Sequence, residues 1–193
     1  PSTDPGSVLL LDASTLATVG APIPVGSLPD MVTFTPDGTK ILTANEGEPD
    51  DGVDPMGSVS IIDISGGLGS ITVKTVDFTD FDGREDELRN EGVRIFPGES
   101  ASTDLEPEYI NVMADGTAAF VTLQEANAFA VVDLVTNTID AILPLGLKDY
   151  SRGLPELMQF NFVPSRLPSL GVSAAGEESK LGGFSGLWFD GVK

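Results

Sequence analysis

The sequence has no cysteine and no histidine. Their absence removes disulfides, thiolate nucleophiles, Ser-His-Asp triads, histidine general bases and the ordinary zinc sites, so any metal held here must sit on oxygen ligands. Basic residues are scarce as well. Ten Lys and Arg stand against 30 Asp and Glu, a formal charge of −20. Such a field repels a phosphate backbone, which excludes nucleic acid as a partner. No apolar run approaches the roughly 20 residues needed to span a bilayer as a helix. The polar opening from Pro1 carries no signal-peptide pattern, so the chain reads as a mature or trimmed product. Its acidity and lack of a basic patch point to an extracellular, cell-surface or periplasmic setting.

What is present is glycine and proline, 22 and 14 in 193 residues, together with a hydrophobic fraction of 40%. That mixture suits many short strands joined by tight turns. Internal repeats then organise the chain. PDMVTFTPDGTKILTANEGE from Pro29 and PEYINVMADGTAAFVTLQEA from Pro107 align without gaps. Each reads as a strand, an Asp-Gly turn and a second strand, because Asp-Gly supports the positive φ of a tight hairpin. A second unit occurs three times, from Gly6, Gly57 and Asn127. Each copy reads as a strand ending in Asp (Asp12, Asp63, Asp133), a polar turn that the Asp side chain caps, and another strand.

In order, the chain is an outer hairpin, then inner plus outer, then inner plus outer again. FTPDGTKILTAN with VSIIDIS, and VMADGTAAFVTLQ with FAVVDLVTNT, resemble the YVTN-type β-propeller repeat over residues 6 to 147. The fold class expected from this resemblance is all-β: a partial β-propeller of about two to two and a half four-stranded blades. Propellers close with about four to eight blades of ~40 to 45 residues. Remaining blades, from the same polypeptide or another chain, are therefore expected partners. Residues 1–150 form the expected propeller segment, with a long acidic insertion at about 75–104. Residues 151–193 form an irregular, Pro-, Gly- and Ser-rich linker or the start of a following propeller segment.

The insertion has one helix-compatible stretch, Arg84 to Asn90, with Gly92 as its stop. ANEGEPDDGVDPMGSVSIID, GVRIF, DLEPEY and VTLQEANAFAVVDL together resemble the choice-of-anchor I group of secreted bacterial proteins, some described as alkaline-phosphatase-like. Two acidic runs lie in these blocks. One holds Glu46, Glu48, Asp50, Asp51 and Asp54; the other holds Asp104, Glu106 and Glu108. The repeat alignment sets Asp30 opposite Glu108 and places Glu125 level with the Glu46 loop. Equivalent positions in neighbouring blades lie side by side, so these carboxylates are expected to converge. Asp30, Glu46, Glu48, Asp104, Glu106, Glu108 and Glu125 are accordingly the candidate metal ligands, with Ca²⁺ the cation suited to six to eight oxygens. A solvated acidic rim is the alternative. Asp77, Asp80 and Asp82 form a second, weaker calcium-loop pattern, whose spacing departs from the EF-hand.

LGGFSGLWFD near the C-terminus resembles the opening of the "esterase-like activity of phytase" propellers. Ser185 within it fails as a nucleophile elbow, since Leu187 stands where glycine is required and no histidine exists. Two functional readings stay open. One is a calcium-binding scaffold or binding module of a larger secreted protein, presenting blades to other domains or a surface polymer. The other is part of a Ca²⁺-dependent phosphoric monoester hydrolase of the alkaline phosphatase or phytase kind. A plain surface-layer component is a third.

Overall fold

A computed structural model describes residues 2–146, 169–172 and 178–180. The chain forms two compact units, Pro1–Lys148 and Asp149–Lys193. In the first unit, β1 (Pro5–Val8) pairs antiparallel with β2 (Ile23–Ser27). Next come β3 (Pro29–Phe34), β4 (Lys40–Asn45), β5 (Ser58–Asp63) and β6 (Thr72–Asp77), hydrogen-bonded in chain order as one antiparallel sheet. The strands β7 (Tyr109–Val112), β8 (Ala118–Leu123), β9 (Ala128–Asp133) and β10 (Thr138–Pro144) repeat that meander. The architecture is thus all-β, a partial propeller of one half-blade and two four-stranded blades. In the second unit β11 (Ser169–Val172) pairs with β12 (Glu178–Lys180). The phytase-like LGGFSGLWFD stretch and Ser185 lie outside the described residues.

Local chemistry explains the hairpins. Gly38 and Gly116 take φ of 69° and 72° in the two Asp-Gly turns. Asp37 accepts the Thr39 N–H at 3.0 Å, and Asp115 accepts the Thr117 N–H at 3.0 Å. In the outer hairpins Asp12, Asp63 and Asp133 accept backbone N–H groups from Thr15, Ser65 and Val135 at 2.8, 2.8 and 2.7 Å. With the Ser14 hydroxyl on Asp12, the Ser65 hydroxyl on Asp63 and the Thr136 N–H on Asp133 contributing most, and these bonds adding to them, all three carboxylates are held below the ordinary aspartate range. One expectation needs correction. The first outer strand stops at Val8 rather than running to Asp12, and beyond it only the isolated bridge Leu11 to Thr18 remains. Leu9 and Leu11 are 48% and 50% exposed, and within that stretch Leu10 alone packs on the cluster of Ile23, Val25, Ile41 and Ile62.

Two clusters fill the spaces between sheets. Ile23 and Val25 of β2 pack with Ile41 and Ile62. On the opposite face Leu42, Ala44, Val59 and Ile61 pack with Ile110, Val121, Ala130 and Val132 of the third sheet. The central strands of the middle sheet are therefore buried on both faces, which explains the continuous burial of β4 and β5. Its face toward β2 also carries Thr43, Asn45, Ser58 and Ser60, all buried. Asn45 Nδ2 donates to Ser58 Oγ at 3.1 Å and Ser60 Oγ at 2.9 Å, which removes the cost of burying these polar atoms.

The insertion between β6 and β7 contains a single 3-10 turn (Thr79–Phe81), α1 (Glu85–Glu91) and α2 (Ala101–Asp104). Gly92 ends α1 with φ 108°, as the sequence pattern requires. The segment is more than a surface loop. Phe78, Phe81, Leu88, Val93, Ile95, Ala101 and Leu105 join the cluster shared by the two four-stranded sheets. Gly57, at the entrance to β5, lets this segment approach: its N–H donates to Ser102 O at 3.1 Å, and an added Cβ would fall 2.0 Å from Leu105 O. Gly57→Ala should destabilise the domain by about 1–3 kcal/mol through overpacking against backbone. Gly69→Ala, whose Cβ would enter open space, should stay within about 0.5 kcal/mol. Urea unfolding of the two variants measures the difference.

Candidate functional site

The loops that leave β4, enter β7 and join β8 to β9 all emerge where the two four-stranded sheets meet. Backbone bonds set their course: Glu46 N–H donates to Leu28 O at 2.9 Å, Glu108 N–H to Thr122 O at 3.1 Å, and Arg94 N–H to Ala126 O at 2.8 Å. Gly47, buried with φ 74°, turns the chain between Glu46 and Glu48; an added Cβ would come 2.9 Å from Met56 O. The seam collects Glu46 from one sheet and Glu106, Glu108 and Glu125 from the other side. Asp104, the last residue of α2, stands beside them.

Burial and like charge act together on these carboxyls. Glu46 is pushed up from 4.5 to about 7, first by desolvation and then by Asp30, Glu48, Glu108 and Glu125. Glu106 is likewise raised to about 7, by desolvation and then by Glu125, Glu46, Asp104 and Glu48. Burial also raises Glu108, with Asp30 and Glu125 adding to the effect, while the amide of Gln124 donating to Glu108 opposes it. Desolvation raises Asp104, although Phe96 N–H donates to its Oδ2 at 2.7 Å. The structure thus brings all seven carboxylates singled out in the sequence into one electrostatic neighbourhood. Among the described residues, no three acidic side chains are gathered in a geometry ready to hold a metal ion.

The remaining acidic residues divide. Asp54 faces the same region, raised by burial and then by Glu99 and Asp104. Asp50 receives the Ser2 hydroxyl at 3.4 Å. Asp77 accepts the N–H and hydroxyl of Thr79 at 3.0 and 2.6 Å, and Asp82 accepts the N–H and hydroxyl of Ser102 at 2.8 and 2.9 Å. Asp77 and Asp82 therefore serve turn geometry and the docking of α2.

Beside the seam opens a cavity of ≈540 Å³ lined by Glu48, Pro49, Asp54, Arg94, Phe96, Glu99, Asp104, Glu106 and Glu125. Arg94, Phe96 and Glu99 were not singled out from sequence. Arg94 donates to the Glu125 carbonyl, reaches Glu125 Oε2 at 3.4 Å and stacks its guanidinium 4.9 Å from the Phe96 ring centre. Nothing in the sequence pairs Arg94 with Glu125; only the docking of the insertion does. The GVRIF block that contains Arg94 was nevertheless part of the family resemblance.

That block and the acidic loops fall inside a region, residues 1–158, that matches the model of the choice-of-anchor I domain. The chain belongs to this family. A choice-of-anchor I domain points to a secreted or cell-surface bacterial protein, in keeping with the extracellular setting expected from charge. Among curated proteins no sequence matches the chain. Among the described residues no helix is long and apolar enough to cross a membrane.

Carboxyl-resolved NMR titration should place Glu46 and Glu106 near pH 7. Glu46→Gln removes one of the charges acting on Glu106, and the Glu106 midpoint should then move down toward 4.5. An unmoved midpoint would show that the two groups do not interact.

Proposed function

We propose that this choice-of-anchor I domain is a cell-surface-associated scaffold whose acidic seam binds a divalent cation, with Ca²⁺ the fitting ion, so that cation binding stiffens the junction between its two four-stranded sheets. The observation that carries the reading is the pair Glu46 and Glu106, half-buried on opposite sides of the seam and raised to about 7. Confined carboxylates that repel one another are relieved by protons or by a cation. Glutamate and aspartate oxygens are the ligands that a hard cation takes. Since the side chains are not gathered around one point, binding draws the β4–β5 loop and the segment before β7 together.

A Ca²⁺-dependent phosphomonoesterase, the activity implied by the family resemblance, would draw on the same carboxylates. Binding is the reading we retain, because among the described residues Arg94 is the one basic side chain lining the cavity and it is already engaged by Glu125. A phosphate group needs cationic donors free to meet it.

The pH dependence has a definite sign. The folded pKa values of Glu46 and Glu106 lie above their unfolded value of 4.5, so the folded state retains protons that the unfolded chain releases. Stability from this pair is present at low pH and is lost as pH rises from about 4.5 to about 7. In chelator, the melting temperature should therefore fall between about pH 5 and about pH 8 through this pair. Saturating Ca²⁺ should raise it by about 5 °C at the higher pH and little at the lower. Equal shifts at both pH values, or an undiminished shift in the Glu46→Gln, Glu106→Gln, Glu108→Gln triple variant, would remove the seam as the binding site. Assaying the same proteins with a generic phosphomonoester tests hydrolysis separately.

A further inference from the structure

Among the described residues three arginines pair with carboxylates, and Arg94 holds its partner most loosely. Arg84 Nε meets Glu87 Oε2 at 2.9 Å and Arg89 Nη1 meets Asp86 Oδ1 at 2.8 Å, whereas Arg94 Nη2 stands 3.4 Å from Glu125 Oε2. Arg89 is fixed further by two carbonyls, Ile95 O and Phe96 O. The Arg94 and Glu125 side chains are 50% and 62% exposed, so water competes for the pair and either partner can be drawn from it at small cost.

What is firm about Arg94 is its placement. Its backbone N–H donates to Ala126 O at 2.8 Å, its Nε donates to the Glu125 carbonyl, and its guanidinium lies 4.9 Å from the centre of the Phe96 ring. The ring gives the guanidinium a resting face that does not depend on the Glu125 carboxylate. The insertion thus delivers one tethered positive charge to the wall of the ≈540 Å³ cavity, where every other charged lining group is a carboxylate.

Glu125 therefore faces two demands. It is one of the carboxylates acting on both Glu46 and Glu106 across the seam, and it is the carboxylate that Arg94 reaches. A metal ion held by the Glu125 carboxylate would lie beside the guanidinium, and two like charges so close repel one another. The two cations exclude each other at that oxygen. A divalent ion brings one more positive charge than the contact it displaces, so the exchange favours it over a monovalent one.

We propose that Arg94 is a tethered competitor for the seam: it contends with a divalent cation for the Glu125 carboxylate, and the cation binds by turning it off Glu125 while it stays on Phe96. Arg94 so sets the cation concentration at which the two sheets are drawn together. The inference rests on the cation seam proposed above and adds the residue that tunes its affinity.

Calorimetric titration of the full chain with Ca²⁺ alone, at a pH above about 7 where Glu46 and Glu106 are ionised, compares the wild type with Arg94→Gln and Arg94→Lys. Arg94→Gln should bind about three- to tenfold more tightly, the gain expected from removing one nearby like charge. Arg94→Lys keeps the charge and should stay closer to the wild type. With isotope-labelled arginine, the Arg94 Nε–H resonance should shift as Ca²⁺ is added, while that of Arg84 stays in place. Equal affinities of the wild type and Arg94→Gln, an Arg94→Lys as tight as Arg94→Gln, or an unmoved Arg94 resonance in a wild type that binds Ca²⁺ would overturn the inference and leave the seam standing. Absence of Ca²⁺ binding in all three proteins removes the seam itself, and this inference with it.

Discussion

The face-to-face packing of the two four-stranded sheets is the constraint on which the rest of this domain depends. Leu42, Ala44, Val59 and Ile61 on one side and Ile110, Val121, Ala130 and Val132 on the other exclude water from a common layer. Burial of such side chains contributes about 1.5–3 kcal/mol each, which outweighs the repulsion that the same packing imposes on the carboxylates at its edge. Without that layer Asp30 and Glu108 would be separate solvated groups. With it, they and Glu46, Glu106 and Glu125 occupy one seam.

The insertion is the second half of the arrangement. A long loop tethered only by its ends would leave Asp104 and Glu106 free to move away from Glu46. Phe78, Phe81, Leu88, Ile95 and Leu105 instead anchor it in the core, and Arg89 fixes the following turn by donating to Ile95 O and Phe96 O, both at 2.8 Å. Lysine takes a similar part on the outer side: the Lys40 ammonium donates to Leu134 O and, at 3.2 Å, to Asn137 Oδ1 in the next sheet's turn. In a chain so poor in positive charge, its cations are spent on backbone carbonyls that join neighbouring elements as well as on surface ion pairs.

Strand and turn positions were legible in advance because their causes are local. Asp37-Gly38 and Asp115-Gly116 specify hairpins through glycine's positive φ and the aspartate caps, and the two copies agree in register over β4 and β8. The stop of α1 at Gly92 has the same local origin. The early end of β1 at Val8 escaped sequence reading, since LLLD resembles its repeats while only Leu10 of its three leucines packs on the core. The short α2 also escaped it: its N-terminal N–H groups are met by Glu85 and Asp82, residues remote in sequence.

By itself the sequence determined the repeat, the hairpins, the net charge of −20 and the identity of the acidic residues. It also excluded chemistry that needs cysteine or histidine, because composition and short-range backbone preference are properties of the chain before it folds. Only the tertiary structure decided how strongly Glu46 and Glu106 oppose ionisation and that Arg94 turns to Glu125 and Phe96. Desolvation, like-charge repulsion and apolar burial depend on neighbours distant along the chain, and those distances exist only after the sheets have packed.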